Sequence, residues 1–165
     1  MDLGRLKYMF VSKNATEPIN AGSRTIIPSD AHEDVAEYFE SLLPASTYFA
    51  SGVRVKTLQG ISDENAPEVA PGGFIAPHGY LVIATSIGGN GICVEIASGR
   101  TYWADRSSFS EDCISYKDRE TGEWIDLPFT SENIAKALVP IEVKLQTFIE
   151  KLLSDQLEKL FDELD

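Results

Sequence analysis

Histidine and cysteine, the residues that most often hold metals or act as nucleophiles, are scarce in this sequence. His32 and His78 are its two histidines, and Cys93 and Cys113 are its two cysteines. A zinc site takes several such ligands at close spacing, and neither cysteine has a second ligand beside it. We therefore expect no metal site, a local hydrogen bond or solvent exposure for each histidine, and a buried apolar role for Cys93.

Carboxylates are the remaining candidates for acid–base chemistry. Glu95 within a predicted strand, Asp105 at a strand end and Asp112 are the best placed of the 26 acidic residues. Carboxylate pairs arise by chance in so acidic a chain, and no Gly-x-Ser-x-Gly elbow marks a nucleophile with its base. We expect no catalytic residue and no cofactor, and we keep an enzyme that uses Asp105 or His78 as a third hypothesis.

A glycine-rich run, Gly88-Gly89-Asn90-Gly91, offers a possible phosphate loop. Phosphate loops of this kind lead into a helix whose N-terminus faces the anion. Here the residues that follow, 92–96, alternate between apolar and polar as a strand does. We therefore interpret the run as a hairpin turn in which glycine permits positive φ.

The turn lies within the strongest pattern of the chain. Residues 80–87 are almost continuously apolar and β-branched, which predicts a central strand covered on both faces. With strands at 92–96 and 101–105 they predict an antiparallel meander joined by short turns. Tyr102 and Trp103 are neighbours on the third strand, so one is expected in the core and the other on the surface.

Two helical regions are predicted to flank this sheet. Apolar residues that step by three and four predict a helix at 31–43, with Ser29 or Asp30 as its N-cap. Pro140 suits the first turn of a second helix over about 141–164, which at about 25 residues would be roughly 37 Å long. Because this exceeds what the domain needs, we expect its last two turns to overhang, fray or meet a partner.

The remaining segments are less regular. Residues 6–11 fit either a strand or the end of a helix, and 53–58 alternate as a half-exposed strand. The Pro- and Gly-rich stretch 59–79 predicts a long loop of unassigned role. Residues 113–116 and 123–127 fit either a pair of strands or a strand and a loop.

Length and composition indicate one domain. A chain of 165 residues with 43% apolar content can bury a proper core, and we expect a single α+β domain over 1–165. Its expected architecture is a central antiparallel meander between an N-terminal helix and a long C-terminal helix. No run reaches the roughly 18 apolar residues of a membrane span, and the N-terminus lacks the order of a secretory signal. We therefore expect a cytoplasmic protein that does not bind a membrane.

The net charge is −12, and it is concentrated in the second half of the chain. Residues 101–165 contain 15 acids and 7 bases, against 11 acids and 7 bases before them. Such a field repels phosphate backbones and attracts a basic partner, so we expect no nucleic-acid binding. The acids form either an ordinary solvated surface or an acidic docking face.

Four segments of the sequence match motifs of a known family. They are Ile83-Ala84-Thr85-Ser86, the run Gly88 to Glu95, the run Gly99-Arg100-Thr101-Tyr102-Trp103-Ala104-Asp105, and the closing stretch Leu145 to Leu153. In these segments the chain resembles the SUKH superfamily, which includes the yeast cell-wall-synthesis regulators and many bacterial immunity proteins. The resemblance implies an immunity protein that binds and neutralises a toxin, often a nuclease, in the bacterial cytoplasm.

The charge favours the same function, because an acidic protein can mimic the phosphates that a basic nuclease surface holds. The partner is then a protein, a cognate toxin, and the contact surface is expected to combine acids with one exposed aromatic. The expected contact residues are Glu95, Tyr102, Trp103, Asp105, Glu111 and Asp112. Two alternatives stay open: a regulatory or scaffold module that uses the C-terminal helix, and an enzyme of unknown class.

Overall fold

The computed structural model describes residues 2–12, 27–118 and 120–164, and within them eight strands form two antiparallel sheets. The strands are β1 Tyr48–Ala50, β2 Val53–Val55, β3 Tyr80–Thr85, β4 Gly91–Glu95, β5 Thr101–Ala104, β6 Ile114–Lys117, β7 Trp124–Leu127 and β8 Val139–Glu142. The main sheet has the order β1-β2-β3-β4-β5-β8, and β6 and β7 form a separate hairpin. The predicted α+β class and the meander β3–β4–β5 are confirmed, and of the two alternatives left open for 113–116 and 123–127 the structure has the pair of strands.

Seven α-helices accompany these strands in the described ranges. They are α1 Leu3–Ser12, α2 Glu33–Ser41, α3 Leu58–Glu64, α4 Gly72–Ile75, α5 Ser131–Ala137, α6 Leu145–Leu153 and α7 Glu158–Leu164. The ambiguous stretch 6–11 is therefore helical. The predicted helix at 31–43 is α2, but its N-cap is His32 rather than Ser29 or Asp30, because the His32 Nδ1 accepts the Asp34 N–H at 3.2 Å.

The main sheet is covered on both faces, and all six residues of β3 are buried. On one face a large core joins the sheet to α1, α2, α6 and α7, with Phe10, Phe39 and Phe148 among its fully buried side chains. On the other face a smaller core joins the sheet to α4, α5 and β6, through Ile75, Ile134 and Ile114 among others. The fold is thus a sheet between a helical layer and a mixed layer.

The C-terminal segment is not the single helix expected over 141–164. Pro140 lies in β8, at the edge of the sheet, where a proline costs no ladder hydrogen bond. Helix α6 ends at Leu153, and Asp155 adopts a φ of 57°, so the chain turns before α7 begins. Phe161 of α7 is 2% exposed and stacks on the Trp103 ring at 5.6 Å between centroids. The expected overhang is therefore wrong, because the last turns belong to the core.

The stretch 59–79 is not a long loop. It contains α3, α4 and a 3₁₀ turn at Ala76–His78, and the predicted strand at 53–58 ends at Val55 because Leu58 already begins α3. Two glycines allow close packing here: a Cβ on Gly72 would lie 2.1 Å from the Glu64 carbonyl oxygen, and one on Gly73 would lie 2.1 Å from that of Ala66. The glycines thus serve backbone contact rather than flexibility.

Asn65, which follows α3, completes the hydrogen bonding of β3. Strand β2 pairs with β3 only opposite Thr85 and Ala84, so within the described residues the first half of β3 lacks a strand on that edge. The Asn65 Oδ1 accepts the Val82 N–H at 2.9 Å, and its Nδ2 donates to the Val82 carbonyl at 2.9 Å and to that of Ile61 at 2.7 Å. One amide therefore takes the place of a neighbouring strand at this point.

Replacing Asn65 by alanine should lower the free energy of unfolding by about 2 kcal/mol, because it leaves two buried backbone groups of Val82 without partners. Urea unfolding followed by circular dichroism measures the change. Gln59→Ala, an exposed change in the same helix, is the control and should cost less than about 0.5 kcal/mol. Equal losses in the two variants would contradict the role assigned to Asn65.

Replacing Phe161 by alanine should lower the free energy of unfolding by about 3–5 kcal/mol, because it opens a cavity beside the fully buried Trp103. Thermal and urea unfolding measure the loss. Asp162→Ala, an exposed change on the next residue, should leave stability within about 0.5 kcal/mol. A Phe161 variant as stable as the wild type would show that α7 is an appendage.

Candidate functional site

The predicted contact residues do not form one site. Strand β4 runs from Gly91, which pairs with Ala104 of β5, to Glu95 at the opposite end of the hairpin. Glu95 and Asp105 therefore lie at opposite ends of β4–β5. Four residues at about 3.3 Å each separate those ends by roughly 13 Å. The structure divides the candidates into a polar cluster at the Glu95 end and acidic loops at the Asp105 end.

Trp103 is excluded as a surface contact, because its side chain is only 1% exposed and packs in the large core. Its neighbour Tyr102 faces the other way and is half-buried beside the smaller core. One ring is expected in the core and the other at the surface. Trp103 is the ring in the core, and Tyr102 is the ring that reaches the surface.

The Glu95 end is a cluster of hydroxyl groups around one carboxylate. The Tyr80 Oη donates to Glu95 Oε1 at 3.4 Å, the Tyr102 Oη donates to Oε2 at 3.4 Å, and the Ser98 hydroxyl also donates to Oε2. The two phenol rings contact edge to face at 5.7 Å between centroids. The cluster therefore ties β3, β4 and β5 together at the end of the meander.

Both phenols of this cluster resist ionisation. Burial, and then the negative charge of Glu95, raise the pKa of Tyr80 well above its ordinary value. The same two causes, in the same order, raise the pKa of Tyr102. The raised pKa values favour the protonated phenols, which donate to the carboxylate and so connect the three strands.

The Asp105 end consists of two loops on the connection from β5 to β6. The Asp105 Oδ1 accepts the Ser107 N–H and hydroxyl, both at 2.8 Å, and so caps the 3₁₀ turn Arg106–Ser108. Glu111 and Asp112 form the exposed tip of a tight turn that the Ser110 N–H closes on the Cys113 carbonyl at 3.1 Å. The Glu111 and Asp112 carboxylates are thus exposed and cap no backbone group among the residues that the structure describes.

The Gly-rich turn lies beside these loops. The Arg106 N–H donates to the Asn90 Oδ1 at 2.9 Å, and Gly88, Asn90, Asp105 and Arg106 line a shallow open depression. Residues 86–90 join β3 to β4 and Gly91 begins β4, so the Gly-rich run lies at a hairpin turn, as predicted. The hydrogen bond between Arg106 and Asn90 brings the Gly-rich turn close to Asp105, although nothing in the sequence connects the two.

An exposed aromatic that the sequence analysis did not single out is Trp124 of β7. It is 59% exposed, on the face of the β6–β7 hairpin that points away from the smaller core. The only signal in the sequence is the alternation over 123–127, in which the tryptophan shares a face with Asp126. The alternation places Trp124 with Asp126 on one face and Ile125 with Leu127 on the other, which agrees with the exposed ring.

The histidines and cysteines have local roles. His32 caps α2, His78 Nδ1 lies 3.1 Å from the Ser131 hydroxyl, and Cys93 is fully buried with its Sγ 3.6 Å from the Tyr102 carbonyl oxygen. Among the residues that the structure describes, no group of three or more His, Cys, Asp or Glu side chains is arranged to hold a metal ion.

A wide cleft adjoins the N-terminus of α2. It measures about 550 Å³ and is lined mainly by polar side chains, which are His32, Glu33, Asp34, Ser98, Lys144, Gln146 and Thr147. The cleft lies next to the Glu95 end of the meander through Ser98. None of the expected contact residues lines it.

Comparison with known proteins returns no relative: neither a family model nor a curated protein nor a solved structure matches this chain. None of the helices in the described ranges combines the length and the apolar character that crossing a membrane requires.

Stability should fall at alkaline pH because of the tyrosine cluster. The folded pKa of Tyr80 exceeds the unfolded value near 10, so its contribution is complete below that pH and is lost as the pH rises through the folded pKa. In Tyr80→Phe the free energy of unfolding should fall less steeply with pH above about pH 10. The difference in slope should correspond to about one proton. Urea unfolding at stepped pH measures that slope.

Ile134→Val, which truncates the same core without removing a titrating group, is the matched control for this slope. It should lower stability at all pH values alike. A Tyr80→Phe variant that keeps the wild-type slope would show that Tyr80 ionises freely in the folded protein.

Proposed function

We propose that this chain is a non-catalytic immunity-type protein of the SUKH kind, which binds a basic toxin and neutralises it in the bacterial cytoplasm. A nuclease is the expected class of toxin, since its phosphate-binding surface is basic. The observation that carries the proposal is the exposed pair Glu111 and Asp112, held on a tight turn of the same β5–β6 connection as Asp105, within residues 101–165, which contain 15 acids and 7 bases.

The rigidity of the acidic loops supports this proposal. Asp105 is fixed by two hydrogen bonds from Ser107, and the turn that carries Glu111 and Asp112 is closed by a backbone bond. Carboxylates on ordered backbone lose little conformational entropy when a partner binds. Acids on ordered loops of a chain with net charge −12 favour fast, salt-sensitive association with a basic protein.

The competing hypotheses receive less support from the geometry. A scaffold module needs a C-terminal helix free to meet a partner, whereas Leu157 and Phe161 are buried in the core. An enzyme that uses Asp105 needs an available carboxylate, whereas its Oδ1 is engaged as a cap. His78 lies beside the Ser131 hydroxyl, and no other titrating side chain within the described ranges contacts it through a hydrogen bond.

The direct experiment is co-expression with the toxin encoded by the neighbouring gene, followed by purification at about 50 mM and about 500 mM salt. We expect a complex at low salt, and an association rate that falls steeply between the two conditions because surface charges are screened. The paired change Glu111→Gln and Asp112→Asn should slow association about fivefold. Stopped-flow mixing measures the rate.

The control is the paired change Glu158→Gln and Asp162→Asn, which removes the same charge from exposed positions of α7. It should change the association rate less than twofold. Failure to form a complex at either salt concentration would contradict the proposed function. Equal rates for the two paired variants would contradict the assignment to the acidic loops.

A further inference from the structure

The β6–β7 hairpin presents a sheet face that no other element covers in the described part of the chain. Its inner face packs on the smaller core, where Ile114 is fully buried and Tyr116 lies against it. The register pairs Lys117 with Trp124 and Ser115 with Asp126, so these four side chains share the outer face. The hairpin is thus anchored from one side and open on the other.

Trp124 is the apolar centre of that outer face. Phe49, another exposed aromatic, makes a cation–π contact within the chain, because the Arg54 guanidinium lies 5.4 Å from its ring centroid. Trp124 has no ring or cation contact among the described residues, and 59% of its surface meets solvent. A partly exposed indole is the side chain most often found at the energetic centre of protein interfaces, and its face attracts cations.

Acids flank this ring in the sequence, and Lys117 lies opposite it on the neighbouring strand. The segment 111–126 contains six acids and two bases, and Glu120, Glu123 and Asp126 are all exposed. The Ser115 hydroxyl donates to Asp126 Oδ1 at 2.5 Å, which holds that carboxylate on the outer face two residues from Trp124. An aromatic ring beside an oriented carboxylate matches a guanidinium, which can stack on the ring and pair with the acid.

We propose that the docking surface for the basic partner includes, besides the acidic loops, the outer face of the β6–β7 hairpin, and that an arginine of that partner stacks on Trp124 and pairs with Asp126. The inference rests on the proposed function and identifies the surface and the recognition chemistry. A second copy of the chain is a poor occupant, since both copies carry a charge of −12. Lysine is the weaker match, because its compact ammonium cannot stack and pair at the same time.

An NMR titration of the full chain with a nona-arginine peptide tests this chemistry directly. The two tryptophans provide separate indole N–H signals, and the buried Trp103 serves as an internal control. The Trp124 signal should shift and saturate as peptide is added, while that of Trp103 stays in place. A nona-lysine peptide of equal charge should bind about threefold more weakly.

Variants separate this surface from general charge attraction. Trp124→Ala should weaken nona-arginine binding about fivefold, measured on the backbone amides of the hairpin, whereas Phe49→Ala on the far edge strand should change it less than twofold. Lys117→Gln should strengthen binding about twofold, because a like charge beside the ring is removed. Lys159→Gln, which changes the net charge equally on α7, should leave the affinity of the hairpin unchanged.

Saturation of the protein by nona-arginine without a shift of the Trp124 signal would overturn the inference. So would equal effects of Lys117→Gln and Lys159→Gln. With the toxin itself, a complex whose affinity is insensitive to Trp124→Ala, yet sensitive to the paired change at Glu111 and Asp112, would leave the proposed function standing and reject this surface. No complex with the toxin would reject the proposed function, even if the hairpin binds the peptide.

Discussion

The burial of β3 and β4 on both faces is the constraint on which the other elements depend. Every residue of β3 is buried, as are the first four of β4, so each face needs its own apolar layer. Helices from the two ends of the chain supply one layer, and segments between the strands supply the other. The stretch 59–79 must therefore be ordered. The buried Lys56 pairs with Glu64, because an unpaired buried ammonium would be strongly destabilising.

The helical face explains why the C-terminus is integral to the fold. Trp103 points into that face from a central strand, and a side chain of its size needs partners on all sides. Phe161 of α7 supplies one of them, and the turn at Asp155 is what brings it there. The surfaces proposed for recognition lie instead on the outer side of the mixed layer and on the loops at the ends of the sheet.

The mixed layer has a different character, because its outermost element is a two-stranded hairpin. A hairpin of this size is stable only when one face packs on a core, and here Ile114 and Tyr116 provide that contact. Its other face, with Trp124, is exposed and is the face that we propose for docking. The acidic loops at Asp105, Glu111 and Asp112 precede it in the chain, so the carboxylates and the exposed indole belong to one continuous acidic segment.

The sequence alone predicted the meander, the helix at α2, the hairpin nature of the run 88–91 and the acidic character of the second half, because each follows from local alternation, turn chemistry or charge. It did not predict the break at Asp155, because the pattern of apolar residues continues through that turn. It did not predict the helices within 59–79 either, because glycines that permit close packing look the same in a sequence as glycines of a loop. The division of the candidate residues was decided only by the tertiary structure. Strand pairing placed Glu95 and Asp105 at opposite ends of the β4–β5 hairpin, and the packing of α7 covered Trp103. Only the inner face of the β6–β7 hairpin is covered, so Trp124 is exposed. Burial depends on which elements pack together and not on the residues alone.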